Sequence, residues 1–306
     1  MCGCCPNHRK FNAPESKPTG ANVGRNSGRF LIMDLQRKID FAIKLLQAIP
    51  QDGPIELSYS GGKDSDVILE LAKMAGIPFE AIYKNTTIDP PGTIAHCKEN
   101  GVTILKPKMS FLQIVEQRGT PSRFARFCCE ILKEYKVYDR AIQGIRRCES
   151  TARAKRYKEP EMCRVYSKKE KVRIYLPILE WTDEDVTQFI EDRKIKCAPV
   201  YYDENGQFHV ERRLGCIGCP LAYKNGLRDF EKYPGLLRQI IKAKQRFYDT
   251  HPNVGKGFGR NVYNSFYFQF FCETMDDYRA ATTGGLFPEM AVDTKRALEE
   301  HFGIEL

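Results

Sequence analysis

The stretch Leu57-Ser58-Tyr59-Ser60-Gly61-Gly62-Lys63-Asp64-Ser65-Asp66-Val67-Ile68-Leu69 decides how the rest of the chain is read. The apolar run Ile55 to Tyr59 predicts a short buried strand, and the residues from Asp66 onward predict an amphipathic helix. Between them lie a serine, two glycines, a lysine, an aspartate and a second serine. Glycines let backbone approach an anion closely, and a helix N-terminus presents free N–H groups at its positive dipole end. Lys63 adds a full charge, while Ser60 and Ser65 add hydroxyl donors. Together these form a phosphate cradle whose spacing differs from the GxxxxGK[ST] loop.

Outward from this loop, strand and helix signals alternate. Apolar residues at 31, 32, 35, 39, 42, 43 and 46 predict a helix over 31–49, ended by Pro50 and Gly53. The helix after the loop runs to about Ala75, where Gly76 and Pro78 stop it. A strand over 79–83, a loop over 85–93, a helix over 93–100 and a strand over 102–105 follow. Such β-α-β-α-β order implies a parallel sheet with right-handed crossovers, its ligands beyond the carboxyl ends of the strands. Helices at 110–117 and 127–139, a strand at 141–145 and another at 172–177 are predicted next, with 146–171 read as a basic, irregular segment. Thr182 followed by three acids marks a helix start. The chain is loop-like over 195–221, with helices near 234–249 and 291–302 and an aromatic-rich stretch over 263–271. This partitions into a flexible leader at 1–28, an α/β domain at 29–222 and a helical C-terminal extension at 223–306.

The chain has 306 residues, 42% of them apolar, which suffices for a sizeable core. No apolar run reaches membrane length and no signal-peptide core is evident, so the expectation is a soluble, cytoplasmic protein without membrane partners. The net charge of +9 favours anionic partners, nucleotides or nucleic acid. Twelve cysteines in such a chain point to metal or redox chemistry rather than a disulfide framework. Cys2, Cys4, Cys5 and His8 sit in the leader without a scaffold. Cys128-Cys129 begin a predicted helix, and Cys216-Ile217-Gly218-Cys219 is a CxxC freed by glycine to fold round a metal. Four thiolates in two pairs suit a [4Fe–4S] cluster or zinc. Adjacent cysteines diverge, which a cluster with separated iron corners accommodates better. Arg146 and Arg147 would clamp phosphate or sulfate oxygens, with Ser150 close behind. Trp181, the single tryptophan, reads as a core anchor.

The order of these elements resembles the phosphoadenosine phosphosulfate (PAPS) reductase family within the PP-loop, or N-type, ATP pyrophosphatases. The resemblance rests on Ser60 to Ser65, Cys128-Cys129, Gly144 to Ser150, Pro177 to Val186, and Cys216 with Cys219. The 86–93 loop is similar to a further family element, although Thr87 and Gly92 depart from it. The resemblance implies a Rossmann-like adenine nucleotide alpha hydrolase fold. It further implies an adenine (sulfo)nucleotide site at Ser60, Gly61, Gly62, Lys63, Asp64, Ser65, Thr86, Asp89, Arg146, Arg147 and Ser150, and a [4Fe–4S] cluster on the four cysteines.

Sulfonucleotide reductases of this family attack sulfur with a cysteine in a C-terminal ECG(L/I)H-like segment. Here the sole cysteine after Cys219 is Cys272, in Phe270-Phe271-Cys272-Glu273-Thr274, whose aromatic surroundings predict a poorly ionised thiol. The intact SGGKDS loop suits the pyrophosphate of ATP, with Mg²⁺ bridging the phosphates and Asp64 as an outer partner. Three readings therefore stand. One is a sulfur-metabolism enzyme on ATP, APS or PAPS with a thiol reductant or sulfur donor protein. Another is an ATP pyrophosphatase that thiolates a nucleic acid, and the last is a non-catalytic nucleotide- or cluster-binding protein.

Overall fold

The computed structural model describes residues 27–122, 125–166, 170–222, 224–285 and 288–306, with side chains from residue 35 onward except 224 and 225. Cys2, Cys4, Cys5 and His8, and the leader in which they fall, lie outside the described residues through residue 26.

The chain divides into two compact units. Of the described residues, the first comprises 27–85, 91–106 and 134–214. Its helices and strands are α1 (Ser27–Gln47), β1 (Ile55–Tyr59), α2 (Lys63–Ala75), β2 (Glu80–Lys84), α3 (Thr93–Glu99) and β3 (Thr103–Leu105). The second comprises 86–90, 107–133 and 215–306, and its first helices are α4 (Phe111–Arg118) and α5 (Phe127–Leu132). The first unit resumes with β4 (Arg140–Gln143), α6 (Thr151–Arg156), β5 (Glu161–Val165), β6 (Lys171–Tyr175) and α7 (Asp183–Asp192). The second closes with α8 (Lys224–Lys232), α9 (Pro234–Thr250), α10 (Val262–Phe271), α11 (Met275–Thr283) and α12 (Thr294–Phe302).

The six-stranded sheet has the order β3-β2-β1-β4-β6-β5, a Rossmann-like α/β arrangement. All neighbours pair in parallel except β5, which lies antiparallel to β6 at the edge. Successive residues of a strand face opposite sides, and β4 shows this directly. Ile142 joins the core shared with Leu45 and Leu46 of α1 and Val67, Ile68 and Leu71 of α2. Ala141 joins Val172, Ile174, Leu176 and Leu179 in the other layer. The chain leaves β1 toward β2 and β3, then returns to place β4 on the opposite side of β1. That reversal opens a crevice at the carboxyl ends of β1 and β4. Residues 60–62 and 144–146 form the two loops there.

The local signals explain the elements. Gly76 adopts φ 65° and donates to the Lys73 carbonyl, ending α2 as its position predicts. Thr182 accepts from the Asp185 amide in a capping box that starts α7. Trp181 is buried and meets Phe189 edge-on at 5.3 Å between centroids, the anchor its position suggested.

Three expectations need correction. The helix read over 127–139 stops at Leu132, with Lys133 as its C-cap. The segment 146–171 is not irregular, since it carries α6 and the edge strand β5. Edge strands bury little, and β5 lacks the apolar alternation that would reveal it. The boundary at 222/223 also does not separate compact units. Phe111, Ile114 and Val115 of α4 share a core with Leu237, Ile240 and Ile241 of α9, so the Cys128-Cys129 segment belongs with the C-terminal helices.

The approach of β4 to the first loop is tight. A Cβ on Gly144 would lie 2.8 Å from the Asp64 carbonyl oxygen. Gly144→Ala should therefore cost about 1–3 kcal/mol through forced backbone movement. Gly235→Ala, where a Cβ meets nothing within 4 Å, serves as the control. Urea unfolding of both variants checks this, and equal midpoints would show that the loop yields freely.

Candidate functional site

The first loop turns sharply at Gly61, whose φ of 77° favours glycine. Its Cβ position would crowd Thr93 at 3.1 Å, and a Cβ on Gly62 would meet the Tyr201 hydroxyl at 3.1 Å. Gly62 is the N-cap of α2 and no side chain caps that helix end. The Ser65 hydroxyl donates to the Gly62 carbonyl at 2.6 Å, holding the turn closed, while Ser60 accepts from the Gly62 amide at 3.3 Å. The loop is thus pinned by its own serines. Asp64 and Asp66 lie in the first turn of α2, yet the N-cap Gly62 gives its amides no side-chain cap.

Lys63 is buried, and its ammonium lies 3.3 Å from Asp64 Oδ2 and 5.5 Å from the Tyr201 ring centroid. Asp64 Oδ1 accepts from Arg146 Nε at 2.7 Å. Arg146, only 1% exposed, also donates through Nη2 to Asp183 at 2.8 Å and through Nη1 to Cys148 Sγ at 3.2 Å. Burial works against its charge, and Asp64 and Asp183 outweigh that, so its pKa goes up. Both oxygens of Asp64 thus carry a cationic partner. As it stands Asp64 is a strut between Lys63 and Arg146.

The two arginines of the expected clamp take separate partners. Arg147 turns to the Tyr157 carbonyl at 2.8 Å, to the Lys158 carbonyl and to Glu180. Ser150 spends its hydroxyl capping α6, accepting from the Arg153 amide at 3.2 Å. Arg146 is extended, with φ −120° and ψ 140°, whereas Arg147 opens a short 3-10 helix over Arg147–Glu149, and the two side chains take different partners.

Thr86 and Asp89 fall in the second unit with the cysteines. Cys216 Sγ lies 3.6 Å from Thr86 Oγ1, and the Ile217 amide donates to the Ile88 carbonyl at 2.8 Å. A hydrogen bond with Cys129 and burial push the Cys128 thiol up, with Cys216 contributing. Burial also pushes Cys216 up, opposed by the Lys133 ammonium. Desolvation opposes the charge on Lys133, and Cys216 and Asp89 outweigh it and hold the ammonium charged. Its side chain keeps an exposed flank. Lys133 escaped the sequence reading, although it follows Cys129 at the four-residue spacing that sets side chains on one helix face.

Cys128 therefore has Cys129 and Cys216 in its surroundings, and Cys219 follows Cys216 across a turn at Gly218, φ 70°. Glycine is needed there, since a Cβ would strike the Phe230 ring at 2.1 Å. Among the described residues, no three Cys, His, Asp or Glu side chains converge to hold a single metal ion. Cys272 is half-buried at the end of α10, and burial and Asp277 push its thiol up, away from the thiolate a nucleophile needs.

Tyr201 and Asp66 were also missed. Tyr201 is buried and its hydroxyl accepts from the Leu214 amide at 3.3 Å. Asp66 is buried beneath α2, bonded to Tyr59 and to His96 Nε2 at 2.9 Å, and burial pushes its carboxyl up. An aspartate in a helical run gives no sign in sequence that it will be buried.

Residues 54–222 match the phosphoadenosine phosphosulfate reductase domain family, more than half of the chain, and the chain belongs to that family. An uncharacterized protein of Methanocaldococcus jannaschii is 33% identical over 221 residues, covering 67% of this chain and 51% of that protein. Sulfate adenylyltransferase subunit 2 of Rhizobium etli is 29% identical over 191 residues, covering 50% of this chain and 59% of that subunit. The chain spans only about half to three-fifths of the length of these relatives. A crystal structure of PAPS reductase from Candida auris in a phosphate complex overlaps with a TM-score of 0.41 and 14% identity, covering 65% of this chain and 98% of that one. The strand order, not that overlap, defines the fold described above. No helix among the described residues is long and apolar enough to cross a membrane.

Proposed function

We propose that this chain binds ATP at the Ser60–Ser65 loop and acts in sulfur metabolism by transferring the adenylyl group to an oxyanion acceptor. The observation that carries the reading is the uncapped N-terminus of α2 with Lys63 buried beside it at the crevice between β1 and β4. Backbone amides and a fixed ammonium suit a pyrophosphate, which leaves as the acceptor oxygen attacks the α-phosphorus. The bond from that phosphorus to the bridging oxygen breaks, and the electron pair departs on pyrophosphate. Likeness to a sulfate adenylyltransferase subunit supports this class of reaction. In it Lys63 would hold the leaving group, and Asp64, braced by Arg146, would fix where Lys63 points.

Calorimetric titration with ATP, APS and PAPS tests the reading. ATP should bind at least about tenfold more tightly than the sulfonucleotides, since its pyrophosphate adds charge-assisted bonds. Lys63→Ala should remove that preference. Equal or reversed affinities would favour sulfonucleotide reduction instead.

For the second unit we propose a [4Fe–4S] cluster on Cys128, Cys129, Cys216 and Cys219, with Lys133 as its neighbouring cation. Such a cluster supplies fixed charge or one-electron chemistry where it binds. The nearness of Cys128 to Cys129 and Cys216 and the glycine-bent CxxC support it. Protein purified without oxygen should be brown and carry iron and acid-labile sulfide in equal amounts. Colourless protein with stoichiometric zinc would overturn the assignment.

A further inference from the structure

We infer that Lys244 on α9 is a nucleophilic amine and a modification site for activated acyl groups. It belongs to the second unit and does not depend on the nucleotide reading above. Lys244 lies one helical turn from Ile240 and Ile241 on one side and from Phe247 and Tyr248 on the other, and all four are buried. Its ammonium sits 4.9 Å from the ring centroid of Phe266 on α10 and 5.8 Å from that of Tyr248. The side chain is half-buried, which leaves a flank open to a small reagent.

What this lysine lacks is a carboxylate. Among the described residues none pairs with it, and the acids on the helices packed against α9, namely α4, α8 and α10, are engaged elsewhere. Glu116 of α4 pairs with Arg246, Asp229 of α8 accepts from the Gly218 amide at 3.0 Å, and Glu231 of α8 lies 3.5 Å from His301. Asp249 of α9 itself accepts from the Gln245 side chain at 2.8 Å, and α10 carries no acid. The cations of the same helices are Arg118, Arg228, Lys232, Arg238, Lys242 and Arg246. An ammonium withdrawn from water with no counter-ion is driven to give up its proton. Ring faces return part of that cost but supply no full charge. Burial alone acts on the titration of Lys244, and it pushes the amine down to about 8. A lysine held partly neutral in apolar surroundings is the nucleophile an acyl donor requires.

The donors that fit are acyl phosphates and thioesters, which carry their own leaving group. Lys244 Nζ attacks the carbonyl carbon, the bond from that carbon to the phosphate oxygen or the sulfur breaks, and the electron pair leaves on phosphate or thiolate. The proton on nitrogen passes to water, and a neutral amide stands where a buried charge stood.

Peptide mass spectrometry on the full chain treated with acetyl phosphate tests this, with Lys242, exposed on the same helix, as the internal comparison. At about pH 7.5 Lys244 should be acetylated roughly fivefold faster or more, because its larger neutral fraction outweighs its lower basicity and half-buried position. Its rate should level off above about pH 9, while that of Lys242 keeps climbing. Lys244→Met gives a readout that needs no reagent. Below a pH of about 8 the wild type bears the full cost of a charged Lys244, and that cost fades as the pH rises toward the ordinary lysine value near about 10.4. The melting temperature of the wild type should therefore trail that of Lys244→Met at about pH 7 and close on it by about pH 10. Acetylation of Lys244 no faster than that of Lys242 at about pH 7.5, or a melting-temperature difference that stays constant across that range, would overturn the assignment.

Discussion

The bond between Arg146 and Asp64 ties the two loops of the crevice together. It joins the residue that follows Lys63 to the loop after β4, 2.7 Å between Nε and Oδ1, with the guanidinium fully sequestered. A buried arginine is tolerable only when carboxylates and other acceptors fill its fork, and Asp64, Asp183 and Cys148 do so. The sheet order places β4 beside β1, and Gly144 lets its backbone come close enough for this contact. Lys63 then inherits its position from Asp64. A point charge on a long flexible stem becomes a fixed one.

The two units carry different chemistry. The first holds the phosphate-type loop, the braced lysine and Arg146. The second holds every described cysteine of the expected cluster, together with Lys133, Thr86 and Asp89. A short excursion after β2 and a longer one after β3 deliver these residues to the helical unit. Reading the chain linearly assigns them to the α/β domain, because their sequence neighbours are there. Packing of α4 on α9 assigns them otherwise.

Much of the fold was legible because its signals are local. The β1–loop–α2 stretch combines a buried run, a glycine turn and a helical period, and Gly76 ends the helix where glycine should. Parallel strands buried on both faces announce themselves as apolar runs. What escaped depends on partners distant in sequence. Arg146 and Arg147 look alike on paper, and only Asp64 and Asp183 on one side and Glu180 on the other separate their roles. Tyr201 lies in a loop-like segment with no periodicity to orient it. The edge strand β5 has only one neighbour to pair with and no apolar pattern to betray it.

The most direct test of this account is a double-mutant cycle on Asp64 and Arg146, read as affinity for an ATP analogue in variants shown by circular dichroism to be folded. If Asp64 positions Lys63 because Arg146 braces it, Asp64→Asn and Arg146→Gln should each weaken binding, and the double variant should be little worse than either alone. Losses that simply add would contradict the account, because they would mean that the two residues act on the nucleotide independently.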